Sequence, residues 1–285
     1  MSTQVPAIPP VVLRLVPPYQ RFESVPDLAT LTPGDLPPAT VLAVHVGSPH
    51  ASWSAATGLV PRLRERFPAA PVVLCAGRTG DLGNLARAPR ADGLEVRAVL
   101  LEDEPPLPRL RRILTDPTHL PEEVEHWLPV RLPDLPPAVV RIAAGIVREA
   151  PGCPQVGGLL ARLGHAERTV RTWFRRAGVP GPGKWLAAAN AVRAALRLQA
   201  EEGAPLLALA VECGYSDHSS LSRQSLRLFG LRPGAIRGTL GWEWLLDRWL
   251  RRASARGVFG VESSSQPERS EGAIARGMPP SLRSG

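Results

Sequence analysis

Two stretches of the sequence repeat one pattern: residues 156–178, VGGLLARLGHAERTVRTWFRRAG, and residues 205–230, PLLALAVECGYSDHSSLSRQSLRLFG. Each opens with a short apolar segment, passes through a turn with Gly or Asp, and ends in a segment that carries Arg with Ser or Thr. The spacing of the apolar residues predicts an amphipathic helix over about 167–177 in the first copy. The residues at i, i+3, i+4 and i+7 are Val170, Trp173, Phe174 and Ala177.

Two short helices joined by a tight turn make a helix-turn-helix, whose second helix enters the major groove of DNA. Guanidinium groups bind phosphates and guanine edges, and short hydroxyls allow close approach to the groove. We therefore predict double-stranded DNA as the partner. A solvated face of a helical bundle explains the first copy about as well, and the second copy shifts the balance toward DNA. The predicted DNA-binding residues are Arg168, Arg171, Thr172, Arg175, His218, Ser219, Ser220, Ser222, Arg223 and Arg227.

The segment between the copies, residues 184–202, is rich in helix-forming residues. At about 1.5 Å per residue this helix is roughly 28 Å long, close to the roughly 34 Å between successive major-groove faces. In the second copy, Asp217 is expected to cap the final helix through a backbone N–H. Leu221, Leu228 and Phe229 are expected to face inward.

Residues 168–237 resemble the DNA-binding domain of the AraC-type transcription regulators, which has two helix-turn-helix units on a linking helix. The specific matches are GYSDHSSLSR at 214–223 and FGLRPGAIR at 229–237, with a weaker match in TVRTWFRRAG at 169–178. The resemblance implies a sequence-specific regulator that reads two adjacent major grooves. This chain departs from the family at Ser225, where an aromatic is usual, and at Thr172 and Asn190, where Arg is usual.

Positive charge is concentrated in the part of the chain that carries these units. Residues 151–252 contain 15 Arg and Lys against 7 acidic residues, whereas residues 1–150 contain 15 Arg against 16 acidic residues. A basic segment attracts the phosphate backbone. The length of 285 residues fits about two domains.

The N-terminal half alternates short apolar strands with helices. Such alternation predicts an α/β domain with a small parallel sheet. Strands are expected at 11–16, 40–46, 71–76 and 96–101, and helices at 52–67, 81–88 and 107–114.

This pattern resembles the receiver domain of response regulators. A receiver holds a metal through acidic residues after its first and central strands, but Pro17 and Pro18 occupy the first place and residues 45–48 contain no acid. The receiver lysine after the last strand falls near Glu102 or Asp103. We expect a domain that does not accept phosphate and instead senses a signal or forms a homodimer.

The predicted domains are 1–129, receiver-like; 130–137, a Pro-rich linker; 138–252, the AraC-type domain; and 253–285, a disordered tail.

A helix is expected at 116–128, capped by Thr118. His119, Glu122 and His126 share a face of that helix, but acidic first turns are ordinary, so no metal is predicted. The apolar residues of 242–250 predict a helix that packs back on the domain, with self-association as the alternative.

The sequence lacks the glycine-rich phosphate loop, the nucleophile elbow and the His-Glu-x-x-His zinc motif, so we expect no enzyme and no cofactor. Three scattered cysteines and the absence of an 18-residue apolar run predict a cytoplasmic protein without membrane contact. The alternative function is a protein-interaction adaptor whose helix-turn-helix domain no longer binds DNA.

Overall fold

The computed structural model describes residues 11–25, 28–46, 49–76, 96–101, 105–153 and 155–255. Five strands form one mixed sheet in the order β2-β1-β3-β4-β5. The predicted helix at 81–88 and most of the predicted tail lie outside the described residues. The strands are β1 (Val11–Leu15), β2 (Glu23–Ser24), β3 (Val41–Val46), β4 (Val72–Ala76) and β5 (Val99–Leu101).

The direction of β1 corrects the prediction of a parallel sheet. Strands β3, β4 and β5 run parallel, but β1 runs antiparallel to β3 and to β2. A parallel connection needs a crossover, usually a helix. The described part of residues 16–40 contains only β2 and a 3-10 turn at Pro33–Asp35, and no α-helix, so the chain returns along β1 in the opposite direction. The receiver-like fold is not confirmed.

The two faces of the sheet are covered by different helices, α1 (Pro49–Arg66) and α2 (Pro106–Leu114). Because side chains alternate along a strand, Leu42 and Val44 pack on the α1 side. Val41 and Ala43 pack on the α2 side. The N-terminal part is therefore an α/β arrangement of three layers.

The rest of the described chain is helical. Helices α3 (Leu120–Arg131) and α4 (Pro137–Glu149) share one apolar core with the helices that follow them. The segment predicted as a linker holds the end of α3, a short loop with buried Leu135 and the start of α4. The division into domains stays a prediction. The remaining helices are α5 (Val156–Arg162), α6 (Glu167–Arg176), α7 (Pro182–Ala200), α8 (Leu206–Glu212), α9 (His218–Phe229), α10 (Pro233–Arg237) and α11 (Glu243–Ala255).

The predicted cap of α3 by Thr118 is wrong. The residue at the cap is His119, and its side chain makes no capping hydrogen bond. Asp116 instead accepts hydrogen bonds from the backbone N–H and the hydroxyl of Thr118, at 2.9 and 2.5 Å. An Asx turn therefore engages Thr118 before the helix begins.

Polar contacts hold the sheet against the helical part. The Tyr19 hydroxyl donates to the carbonyl of Ala39 and accepts from the N–H of Leu240, both at 2.9 Å. Arg111 of α2 donates to the carbonyl of Gln199 and to the carboxylate of Glu202. These hydrogen bonds connect the α/β part of the protein to the C-terminal end of α7 and to the segment that follows it.

The last helix, α11, packs back on the helical part as predicted. Trp244, Leu245 and Leu250 are buried, and the rings of Trp249 and Trp185 meet edge to face with centroids 4.9 Å apart. None of the helices in the described ranges is long and apolar enough to cross a bilayer.

Candidate nucleic-acid interface

The two helix-turn-helix units have the same turn, fifty residues apart. Helices α5 and α8 each have seven residues, and Gly164 and Gly214 follow them with φ of 75° and 80°. In both turns the next N–H returns to the helix, from His165 to the carbonyl of Leu160 and from Tyr215 to that of Ala210, each at 2.9 Å. Glycine occupies this left-handed conformation because a Cβ is strained there.

Gly214→Ala tests that turn. The new Cβ would meet nothing within 4 Å, so the only cost is that of the left-handed backbone conformation. We expect this cost to lower the free energy of unfolding by about 1–2 kcal/mol. Gly234→Ala is the matched control, since Gly234 also has open space around it and has no left-handed φ. Urea denaturation checks the difference between the two variants. Equal stability would contradict the role of the turn.

In the first unit, α6 buries Val170 and Phe174 and turns its cations outward. Arg168, Arg171 and Arg175 are exposed, and Thr172 is half-buried. The Arg171 guanidinium is held at 2.9 Å by the carboxylate of Glu167, four residues earlier on the helix. The Thr172 hydroxyl donates to the carbonyl of Arg168 at 3.0 Å. This exposed intrahelical ion pair is weak in water.

In the second unit, Asp217 caps α9 as predicted. Its Oδ1 accepts from the N–H of Ser220 at 2.7 Å, and this hydrogen bond lowers the pKa of the Asp217 carboxyl. The predicted inward face also forms, with Leu221, Leu228 and Phe229 buried.

The predicted reading residues of α9 fall into two groups. His218, Ser219, Arg223 and Arg227 are exposed, whereas Ser220 and Ser222 are half-buried. Ser220 is part of the cap, because its hydroxyl donates to Asp217 at 3.2 Å and accepts from Arg223 at 3.2 Å. Arg227 donates to the side-chain oxygen of Gln224 at 2.6 Å. The helix thus presents cations and small hydroxyl side chains together.

The linking helix α7 supports both units. It has nineteen residues, the predicted length, and it begins and ends two residues earlier than predicted. Phe174 of the first unit lies in one core with Trp185 and Val192. Leu209 and Leu221 of the second unit pack with Leu198, near the other end of α7. One unit therefore packs near each end of a rod roughly 28 Å long.

Comparison with known proteins agrees with this geometry. Residues 159–239 match the model of a family described as a helix-turn-helix domain. The match runs from within α5 to just beyond α10, and it supports a DNA-binding transcription regulator of AraC type. None of the curated proteins compared with the chain matches it.

Within the helix-turn-helix domain, the departure at Ser225 has a structural meaning. Ser225 is buried, and by burial pattern it occupies in α9 the place that Phe174 occupies in α6. The helix is therefore phased as in the first unit, and only the size of the core side chain differs.

Sequence reasoning assigned no role to the arginines that brace the linking helix and the second unit. Arg197 of α7 binds Glu212 of α8 at 2.9 Å, and Arg193 donates to the carbonyl of Val147 at 3.0 Å. Arg237 donates to the carbonyls of Glu202 and Ala204, at 2.6 and 2.7 Å, beyond the end of α7. The signal for Arg237 was its place in the motif at 229–237.

His119, Glu122 and His126 form the face considered above as a possible metal site. Within the described ranges, no group of three His, Cys, Asp or Glu side chains is arranged to hold a metal ion. His119, Glu122 and His126 instead line a cavity between α3, the sheet and the start of α11.

Proposed function

We propose that this protein is a sequence-specific DNA-binding transcription regulator, not an enzyme, whose two helix-turn-helix units enter adjacent major grooves of one site. The observation that carries the proposal is the repeated unit, in which a glycine turn is followed by a helix with exposed arginines. Two such helices on one nineteen-residue spacer are compatible with successive groove faces. We assign the contacts to Arg168, Arg171, Thr172 and Arg175 of α6, and to residues of α9. Those of α9 are His218, Ser219, Ser220, Ser222, Arg223 and Arg227.

We further propose that the α/β part senses a signal or forms a homodimer and is not phosphorylated. Its contacts support a regulatory arrangement. Arg111 joins α2 to Gln199 and Glu202 at the end of the spacer, so a change in the sheet reaches the element that sets the separation of the two units.

Arg171→Ala and Arg223→Ala test the DNA-binding surface. DNA fragments recovered by a genome-wide pull-down serve as ligands, and fluorescence anisotropy measures the affinity. Each variant should lose about fivefold or more in affinity, because an arginine contact to a base edge is worth roughly 1–3 kcal/mol. Binding of the unaltered protein should weaken steeply with salt. The logarithm of the association constant should fall against the logarithm of the salt concentration with a slope of about −0.9 per phosphate contact.

Arg62→Ala, an exposed arginine of α1, is the control and should bind as the unaltered protein does. If Arg171→Ala and Arg223→Ala also bind normally, the assigned surface is wrong. If the protein forms no complex with any genomic fragment, the adaptor function is favoured. Hydroxyl-radical footprinting tests the two-groove arrangement, which requires two protected regions about 10–10.5 base pairs apart.

A further inference from the structure

A cavity of about 380 Å³ lies where the sheet, α3 and the start of α11 meet. Its buried floor includes Ala70, Val72 and Val96, which are apolar. His119 and Glu122, which are exposed, form its rim. A cavity of this size, with an apolar floor and a few polar groups, is typical of small-molecule sites.

Two tryptophans form a rigid corner of the cavity. The rings of Trp127 and Trp242 meet edge to face at 76°, with centroids 5.4 Å apart. Their N–H groups are already used, since Trp127 donates to the carbonyl of Pro68 at 2.6 Å and Trp242 to Glu123 at 3.0 Å. The rings are therefore fixed, and the ring surface that faces the cavity suits a flat apolar body.

Arg97 supplies the unsatisfied polar group. Its side chain is 9% exposed, donates to Glu123 and lies over the ring of Trp242 at 5.7 Å. Its Nε is 3.5 Å from a carboxylate oxygen of Glu243, and neither Nε nor Nη2 has a hydrogen-bond partner. Among the described residues around the cavity, no other buried side-chain nitrogen or oxygen lacks one. A buried donor without an acceptor is costly, so the group that completes this site is an acceptor.

The charges of the cavity decide against an anion. Arg64 and Arg97 balance Glu123 and Glu243, and Glu122 is paired with Arg148 at 2.9 Å. Burial already raises the pKa of the Glu243 carboxyl, which means that a further buried negative charge is disfavoured. An uncharged oxygen accepts from Arg97 without that cost.

We propose that this cavity binds a flat, apolar, uncharged small molecule whose carbonyl or amide oxygen accepts a hydrogen bond from Arg97. The cavity is next to the helix that braces the second unit. Trp242 immediately precedes α11, Glu243 is its first residue, and Arg248 of α11 donates to the carbonyl of Phe229 at the end of α9. A regulatory role for this cavity rests on the proposed function, whereas the binding of the small molecule does not.

The test uses the full chain without DNA and three probes of one shape: 2-naphthamide, 2-naphthoate and naphthalene. Titration calorimetry or saturation-transfer NMR gives the affinities. We expect 2-naphthamide to bind about tenfold more tightly than naphthalene, which lacks the acceptor for Arg97. It should also bind more tightly than 2-naphthoate, whose carboxylate would place a further negative charge in the buried site. Because no DNA is present, failure of DNA binding and failure of this proposal are separate results.

Variants locate the site. Arg97→Lys keeps the charge and removes the forked donor, so it should lower the affinity for 2-naphthamide about tenfold and leave naphthalene unchanged. Ala70→Leu fills the floor and should weaken both probes, whereas Arg62→Lys, on the exposed face of α1, should change neither. Equal affinity of the unaltered protein for 2-naphthamide and naphthalene, or no binding of any probe, overturns the proposal even if a variant fails to fold. So does an unchanged 2-naphthamide affinity in a folded Arg97→Lys.

Discussion

Replacing Arg97 by Met should lower the free energy of unfolding by about 3–5 kcal/mol at pH 7.5, the usual cost of breaking a buried ion pair from one side. Arg97 contacts two carboxylates, those of Glu123 and Glu243, and Glu243 is only 4% exposed. Without the guanidinium, both carboxylates lose a cation, and water barely reaches the one on Glu243. Urea denaturation of the two proteins measures the loss.

The loss of stability in Arg97→Met should depend on pH. The burial of Glu243 decides whether this loss grows or shrinks as the pH rises. Burial raises the pKa of this carboxyl above its ordinary value of 4.5, and Arg97 opposes the rise. The folded state therefore binds the proton more tightly than the unfolded chain, and the contribution of Glu243 to stability falls as the pH rises above about 4.5. Removing Arg97 raises the folded pKa further, so the destabilisation should be larger at pH 7.5 than at pH 5.

Two further variants separate the electrostatic effect of Arg97→Met from its effect on packing. Arg141→Met, on the exposed face of α4, should change the free energy of unfolding by less than about 0.5 kcal/mol. Adding Glu243→Gln to Arg97→Met should restore part of the lost stability at pH 7.5, because one unpaired carboxylate is then absent. A loss that is the same at both pH values and unaffected by Glu243→Gln would contradict this account.

Local patterns were enough to predict most of the helical part. The cap at Asp217 and the inward positions of α9 depend on neighbouring residues, and so does the length of α7. Each is decided within a few turns of helix, where spacing and capping residues act directly. The family match at 159–239 covers the same elements.

Features decided by distant residues could not be predicted in this way. The direction of β1 depends on how the chain returns through residues 16–40, and apolar alternation is the same in either direction. The cavity is lined by Arg97 together with Glu243 and the ring of Trp242, which are far from Arg97 in the sequence. Tyr19 and Leu240, 221 residues apart, form a similar contact that no local pattern indicates.

The second large effect concerns Phe174, the residue that anchors α6 to the domain. Phe174 is fully buried, in one core with Leu159, Val170 and Trp185. Phe174→Ala should lower the free energy of unfolding by about 3–5 kcal/mol, from lost burial and the cavity that remains. Urea denaturation measures it, and hydrogen exchange should find the amides of α6 less protected than those of α9.

The comparison with the second unit makes this prediction specific. Ser225 holds the equivalent place in α9 and is also buried, so that unit is anchored by Leu221, Leu228 and Phe229 without a large side chain there. Ser225→Ala should therefore cost far less than Phe174→Ala, and Thr169→Ala, exposed on α6, should stay within about 0.5 kcal/mol of the unaltered protein. If Phe174→Ala costs no more than Ser225→Ala, α6 is held by something other than its aromatic anchor. The first unit would then need another explanation for its position on α7.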